Sequence, residues 1–439
     1  MHRFFAILLL AVVSLLSGCT VRSADELYRL PKRSEEFNDL QSAMDSAMAG
    51  LEYCAPVSGD SQQAVQMADV NGDGAQEALV FARSKDTKQL KILVFSRQNG
   101  CYSLVSTLES SGSDFDQVEY VPMDGQPGLE IVVGYRVGDQ VLRAVTVYGF
   151  RQGEFVQLLT VSYSKYVTCD LNADGSMELF VLHPGMTDSD NGVVEWYSYA
   201  DGEFERSTEV NISGPMDRMK RVMTSSLQGG VPGVYVASAV GEDGIITDVF
   251  ALSNGRLTNV SLSNESGTSV QTLRNYYLYG DDIDNDGIME LPSLIFMRSL
   301  NGEEAEGRQS LIRWYAMTVE GGEVDKLYTY HNFAEGWYLS LEQSWINRIT
   351  VIQNSDGSTA VYLWDWTGET AKRLVTLFVL TGEDRSVEAS LDNRIVLAKT
   401  DTVVYAAALE PAASELGLTR ENLADRFHLI SMDWKTGET

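Results

Sequence analysis

The 439-residue sequence is poor in histidine, cysteine and positive charge, and each shortage removes a class of function. Its 4 histidines are His2 at the start and His183, His331 and His428, far apart, so no Ser-His-Asp order and no metal-binding His pair stands out. Cys19, Cys54, Cys101 and Cys169 have no metal-type spacing. Lys and Arg total 33 against 62 Asp and Glu, a net charge of -29, which repels nucleic acid and anionic lipid and argues against both as partners. Beyond the N-terminus there is no run of about 20 apolar residues to span a bilayer. No Gly-rich phosphate loop follows a strand and opens a helix, which argues against a nucleotide enzyme. Carboxylates are so abundant that no chosen pair marks a glycosidase.

What is present is one acidic loop, written three times. Asp69-Val70-Asn71-Gly72-Asp73-Gly74-Ala75-Gln76-Glu77 returns as Asp170-Leu171-Asn172-Ala173-Asp174-Gly175-Ser176-Met177-Glu178 and as Asp282-Ile283-Asp284-Asn285-Asp286-Gly287-Ile288-Met289-Glu290. Acidic or amide oxygens stand at positions 1, 3, 5 and 9 each time. Hard divalent cations such as calcium take many oxygens in a flexible shell. Side chains on alternate residues turn inward, the Gly at position 6 allows a sharp bend, position 7 offers a carbonyl and the Glu closes the cage. The Asp282 loop carries the most carboxylates. An EF-hand is excluded because its twelfth position needs a bidentate Glu, and Val80, Val181 and Ser293 stand there. The flanks, such as Val65-Gln66-Met67-Ala68 and Ala78-Leu79-Val80-Phe81, are strand-like, so the loops join strands.

Residues 1–19 read as an export signal. His2 and Arg3 precede an apolar run from Phe4 to Leu16, too short to span, and Leu16-Ser17-Gly18-Cys19 ends it. The segment resembles a bacterial lipoprotein signal, which implies cleavage before Cys19 and lipidation of its thiol, and so an extracytoplasmic chain held at the cell membrane by its acyl chains. Cys54, Cys101 and Cys169 then read as mostly buried thiols, with a disulfide between Cys54 and Cys101 left open. Residues 20–33 are a tether. Residues 34–50 read as an amphipathic helix capped by Ser34, with Phe37, Leu40, Met44, Ala47 and Leu51 on one stripe packing on the main domain and Gly50 as its stop.

From about residue 60 the chain repeats with a period of about fifty residues. Glu77, Glu130, Glu178, Tyr235 and Glu290 mark successive units, the second and fourth of which carry a Gly-x-Pro-Gly turn, at Gly125-Gln126-Pro127-Gly128 and Gly230-Val231-Pro232-Gly233, in place of the acidic ligands. A later marker, an aromatic strand running into a Gly hairpin, begins at Phe95, Tyr148, Tyr197, Phe250, Trp314, Trp364 and Trp434, which makes seven units. The expected fold is all-β: a seven-bladed β-propeller over 51–439. Its last blade opens with strands at Arg394 to Thr400 and Val403 to Ala408, contains a helical insertion after Thr419 and is completed by a strand at Leu51 to Ala55.

These loops between strands, at this period, resemble the FG-GAP/VCBS repeats of calcium-binding β-propellers such as the integrin α-subunit head, and the whole resembles lipoproteins of that kind in Gram-positive bacteria. The resemblance implies up to three calcium ions. Asp69, Asn71, Asp73, the Ala75 carbonyl and Glu77 would bind the first. Asp170, Asn172, Asp174, the Ser176 carbonyl and Glu178 would bind the second, and Asp282, Asp284, Asp286, the Ile288 carbonyl and Glu290 the third. No ligand is carried onto the other units.

Trp337, Tyr338, Trp345, Trp364 and Trp366 cluster late in the chain and read as fillers between blades rather than a sugar platform. Ser355-Asp356-Gly357-Ser358-Thr359 reads as a plain hairpin turn. The expected function is a non-catalytic binding module for an envelope surface protein or glycan. The alternative is an envelope polysaccharide hydrolase or lyase working through carboxylates in the central pocket.

Overall fold

The computed structural model describes residues 35–110, 112–137, 142–185, 191–298, 309–364 and 370–430. The export signal, Cys19, the tether, Ser34, Trp366 and the hairpin after Trp434 lie outside them. The described chain is all-β in its main body and forms six antiparallel sheets in chain order.

In the first sheet Glu77–Ser84 pairs on one side with Leu51–Tyr53 and Val65–Ala68, and on the other with Leu90–Gln98, which pairs Cys101–Ser110. The second is a meander of Asp114–Val121, Glu130–Arg136, Arg143–Arg151 and Glu154–Tyr163. The third runs Lys165–Cys169, Glu178–His183, Val193–Ala200 and Glu203–Arg206, and Val210–Asn211 joins it. The fourth runs Met219–Leu227, Val231–Val240, Gly244–Ser253 and Arg256–Asn259. Glu290–Phe296, Ser310–Met317, Glu323–Asn332 and Trp337–Leu341 make the fifth, and Ile349–Gln353, Thr359–Leu363 and Lys372–Leu380 open the sixth.

Period-two alternation decides the packing, because successive side chains on a strand face opposite sides of the sheet. In the first sheet Leu79 and Phe81 face the second sheet, where Phe81 meets Phe115 edge-on at 5.0 Å between ring centres. Ala78, Val80, Leu93 and Phe95 face the other way and are covered by the helix Glu35–Ala47 through Leu40, Ala43, Met44 and Ala47. The pattern continues down the chain. Val132 and Val145 pack on Leu179 and Val181, Phe180 on Phe250, Tyr235 on Leu291, and Tyr330 and Trp337 on Val351 and Val361. Each sheet thus packs on its neighbours in sequence, with the far face of the first covered by the helix and that of the sixth by Ala389. Among the described residues no core cluster spans the sixth and first sheets.

Three expectations are corrected. The strands assigned to a seventh unit, Ile395–Lys399 and Val404–Leu409, belong to the sixth sheet: Val404–Leu409 pairs directly with Lys372–Leu380, and the two outer strands only extend that sheet. The strand at Leu51 does not complete the last unit. Glu77–Ser84 is twice as long as Val65–Ala68, so its end at Ala82, Arg83 and Ser84 is left free to pair with Leu51–Tyr53, and Arg83 holds Glu52 at 3.0 Å. Cys54 and Cys101 are both free. They sit at opposite edges of the first sheet, and with strands about 4.8 Å apart the separation is well beyond disulfide reach. Of the three thiols only Cys54 is buried.

The helix expected after Thr419 is present as Arg420–Arg426, closed by a reciprocal capping box between Thr419 and Asn422. It leads into Phe427–Leu429, which pairs with Trp337–Leu339 and returns the chain to the outer edge of the fifth sheet. Trp337 and Trp345 are buried between the fifth and sixth sheets, as a filling role requires, whereas Tyr338 is buried on the other face against Leu278 and Ile283.

Candidate metal centre

The Asp69 and Asp170 loops join two strands of one sheet and the Asp282 loop leads into the first strand of the fifth, which corrects the expectation of a strand before it; in all three the closing glutamate is the first residue of the strand that follows. That placement buries the carboxylate. Glu77, Glu130, Glu178 and Glu290 are all 3 % exposed or less. All four take the backbone amide of loop position 2 on one oxygen: Val70 to Glu77 at 3.2 Å, Met123 to Glu130 at 2.7 Å, Leu171 to Glu178 at 2.8 Å and Ile283 to Glu290 at 3.1 Å. A second repeated contact folds the loop over. The Gly at position 6 donates its amide to the first Asp, Gly74 to Asp69 at 3.0 Å, Gly175 to Asp170 at 2.9 Å and Gly287 to Asp282 at 2.8 Å. The position-7 amides of Ala75, Ser176 and Ile288 donate to the position-5 aspartates.

The turn needs left-handed backbone at two positions, not one. Position 6 is glycine throughout, at φ +85°, +91° and +82°. Position 4 is also left-handed, at Gly72, Ala173 and Asn285 with φ +76°, +59° and +60°. An alanine there costs about 1 kcal/mol or more, so Ala173 is held by the loop around it rather than by its own preference.

The three loops differ in how their acids converge. Asp170, Asp174 and Glu178 bring carboxylate oxygens within 4.8 Å of one another, and so do Asp282, Asp284 and Glu290. In the first loop Asn71 takes the centre: its Nδ2 donates to Glu77 at 2.7 Å and to Asp73 at 3.3 Å, and Ser96 donates to the same Glu77 oxygen at 3.1 Å. Asn172 donates to Asp174 at 2.8 Å. Asp286, beside Asp284 but outside that group of three, pairs with Lys326.

Crowded, buried carboxylates resist ionisation. Burial, then the neighbouring aspartates, pushes Glu178 up to about 7. Burial, then Asp284 and Asp286, pushes Glu290 up to about 8, and Glu77 is raised for the same reasons. The other Glu290 oxygen, Oε1, is buried with no hydrogen-bond partner. A buried acceptor left unpaired is costly, and a cation among Asp282, Asp284 and Glu290 would satisfy it and hold all three ionised. The residues therefore fit a hard divalent ion.

The second unit lacks the acidic pattern but keeps its glutamate, and there the protein supplies the cation itself. Arg151 pairs with Asp124, at loop position 3, and lies 3.7 Å from Glu130 Oε1. Burial dominates at Glu130, pushing it up to about 7. Sequence reasoning missed Arg151, Lys326 and Trp196, whose indole N–H lies 3.3 Å from Glu178. Each reaches the loop from a later strand of the same sheet, so only an alignment of unit on unit would have signalled it.

An open hollow of about 660 Å³ lies beside the first two loops, between Asn71, Asp124, Arg151 and Tyr199. No helix of the described residues is long and apolar enough to cross a membrane. No protein-family model matches the chain, and no curated protein matches it. Among solved structures, an exotype rhamnogalacturonan lyase, YesX, is similar over 73% of this chain and 66% of that one, at 11% identity and a TM-score of 0.31, a likeness too slight to carry an argument about fold or activity.

Proposed function

We propose that the chain is a calcium-stabilised, non-catalytic binding module, carried on the outer face of a cell membrane by lipid on Cys19. Its six sheets serve as the blades of a propeller-type scaffold, with the helix Glu35–Ala47, not a seventh blade, on the free face of the first. The observation that carries the metal reading is Glu290: a fully buried carboxylate with an unsatisfied oxygen, facing two aspartates. Calcium supplies positive charge there and rigidifies loops that hydrogen-bond to the neighbouring sheet. The bound partner is an envelope protein or glycan, presented with a surface made rigid by those loops.

Calorimetric titration of calcium into chelator-treated protein tests the metal. Binding is expected in the wild type, with one site lost in Glu290→Gln and a different one in Asp174→Asn. A wild type that binds no calcium and melts identically with chelator would sink the reading. Capture of envelope components on the immobilised chain, with calcium and with chelator, tests the binding role. Retention of a partner in calcium alone supports it, and release of reducing ends from an envelope glycan would replace it with the enzymatic alternative.

A further inference from the structure

The fifth sheet carries a device that its counterparts lack. Four sheets share a β-bulge at the same place, where one residue of the later strand of a hairpin has no partner opposite. In the first, Val94 and Phe95 face Ser106 and Leu104, leaving out Val105; in the second, Val147 and Tyr148 face Leu159 and Gln157, leaving out Leu158. In the sixth, Val361 and Tyr362 face Val375 and Arg373, leaving out Leu374. In the fifth, Trp314 and Tyr315 face Leu327 and Asp325, and the extra residue is Lys326. Bulges re-aim a side chain. In three sheets the re-aimed residue is aliphatic, whereas here it is an ammonium delivered onto an acidic loop.

Lys326 Nζ lies 2.5 Å from Asp286 Oδ2, and its side chain is only 16% exposed. Asp286 is the position-5 ligand of the loop, and it is the one acid of the four that does not join the Asp282, Asp284 and Glu290 cluster. The charge of Lys326 also acts on Asp284 and Glu290. The second unit offers a parallel within the same chain, since Arg151 there sits on Asp124 and beside Glu130.

We infer that Lys326 is the resident counter-cation of the Asp282–Glu290 loop, which a divalent metal ion must displace from Asp286, so that the loop richest in carboxylates is the weak, exchangeable site. This rests on the calcium reading above and reverses the order that carboxylate number alone implies. The ammonium withholds one ligand and repels the incoming ion, so bound calcium and a paired Lys326 exclude each other. With the ion in place Lys326 swings off the loop, and the hairpin of Ser310–Met317 and Glu323–Asn332 becomes the part of the scaffold that responds to calcium concentration. The other two loops have no such lysine among their described contacts and hold their ions irrespective of it.

The test is calcium titration of the full chain, by calorimetry, in the wild type, Lys326→Met, Lys326→Gln and Lys326→Arg. In Met and Gln one site is expected to tighten about tenfold or more, the equivalent of a pKa-unit change in free energy, with the remaining sites unchanged. Lys326→Arg keeps the charge and is expected to stay weak. Adding Glu290→Gln to Lys326→Met is expected to abolish the tightened site, which places it at this loop. Binding that appears at this loop only in Lys326→Met supports the inference outright. Wild-type binding that Met and Gln leave within twofold overturns the inference while leaving the calcium reading intact. Absence of binding in the wild type and in every variant overturns both.

Discussion

The backbone amide of Met177 donates to the carbonyl of Pro122 at 2.6 Å, and so ties position 8 of the Asp170 loop, just before Glu178, to the start of the loop in the preceding sheet. The contact repeats. Leu129, before Glu130, donates to Asp69 at 3.0 Å, and Met289, before Glu290, donates to Ser226 at 2.9 Å. Main chain thus stitches the loops of the first, second and third sheets to one another, and the Asp282 loop to the end of the first strand of the fourth sheet. Ordering one loop must therefore restrain its neighbour.

Amide exchange tests this stitching. The amides of Leu129, Met177 and Met289 are expected to exchange more slowly than those at the loop tips. On calcium addition Leu129 is expected to slow as well, although its own loop carries Arg151 rather than an acidic ligand set, because its acceptor is Asp69. Protection of Met177 and Met289 with no change at Leu129 would show that the loops act independently.

The close approach of the first two loops makes a second prediction. An alanine Cβ at Gly72 would lie 2.4 Å from the Pro127 carbonyl carbon, at a backbone φ of +76°. At Gly74 φ is +85° and nothing lies within 4 Å. Gly74→Ala should cost about 1–2 kcal/mol of backbone strain, and Gly72→Ala should cost clearly more, because Pro127 must also move. Urea unfolding of the two variants measures the difference. Equal losses would mean that the loops separate freely.

Arg151 is the structural cation of the second unit, so Arg151→Met should leave Asp124 and Glu130 buried and uncompensated. Breaking a buried pair costs about 3 kcal/mol, and the partial exposure of Arg151 puts the loss at the lower end. The loss should shrink at pH 5.5, below the raised value of about 7 at Glu130, where that carboxyl takes up a proton. Thermal melts of the variant at pH 5.5 and 8 decide it; a loss that is the same at both would show that packing, not charge, is what Arg151 provides.

His331 sets an acid limb of stability. It is buried between Tyr338, stacked at 4.7 Å, and Trp314, and burial holds it well below its ordinary 6.5, at about 3. A lowered histidine means that the unfolded chain binds the extra proton first. Stability is fully present above about 6.5 and falls as pH drops toward 3, by about 1.4 kcal/mol per pH unit. His331→Phe keeps a ring in the stack and should flatten this limb between pH 6 and 4. An unchanged slope would assign acid unfolding to other groups.

The sequence by itself determined the local chemistry of this protein. Spacing within nine residues is a short-range property, so the acidic loops, the glycine at position 6, the strand that follows each loop, the amphipathic helix ending near Gly50 and the Thr419 cap were all legible, whereas the strand expected before the Asp282 loop is absent among the described residues. The period of about fifty residues also showed one sheet after another, because each hairpin repeats its own aromatic and glycine signals. Tertiary structure decided which strand pairs with which. Hydrogen bonding to the free end of Glu77–Ser84 drew Leu51–Tyr53 into the first sheet, and the open edge of Lys372–Leu380 took Val404–Leu409 into the sixth, so the described residues form six sheets. It also decided the charge at each loop. Lys326 and Arg151 come from strands beyond their loops in sequence, and a bulge turns Lys326 onto Asp286, an orientation that depends on register across a sheet and on no local pattern of residues.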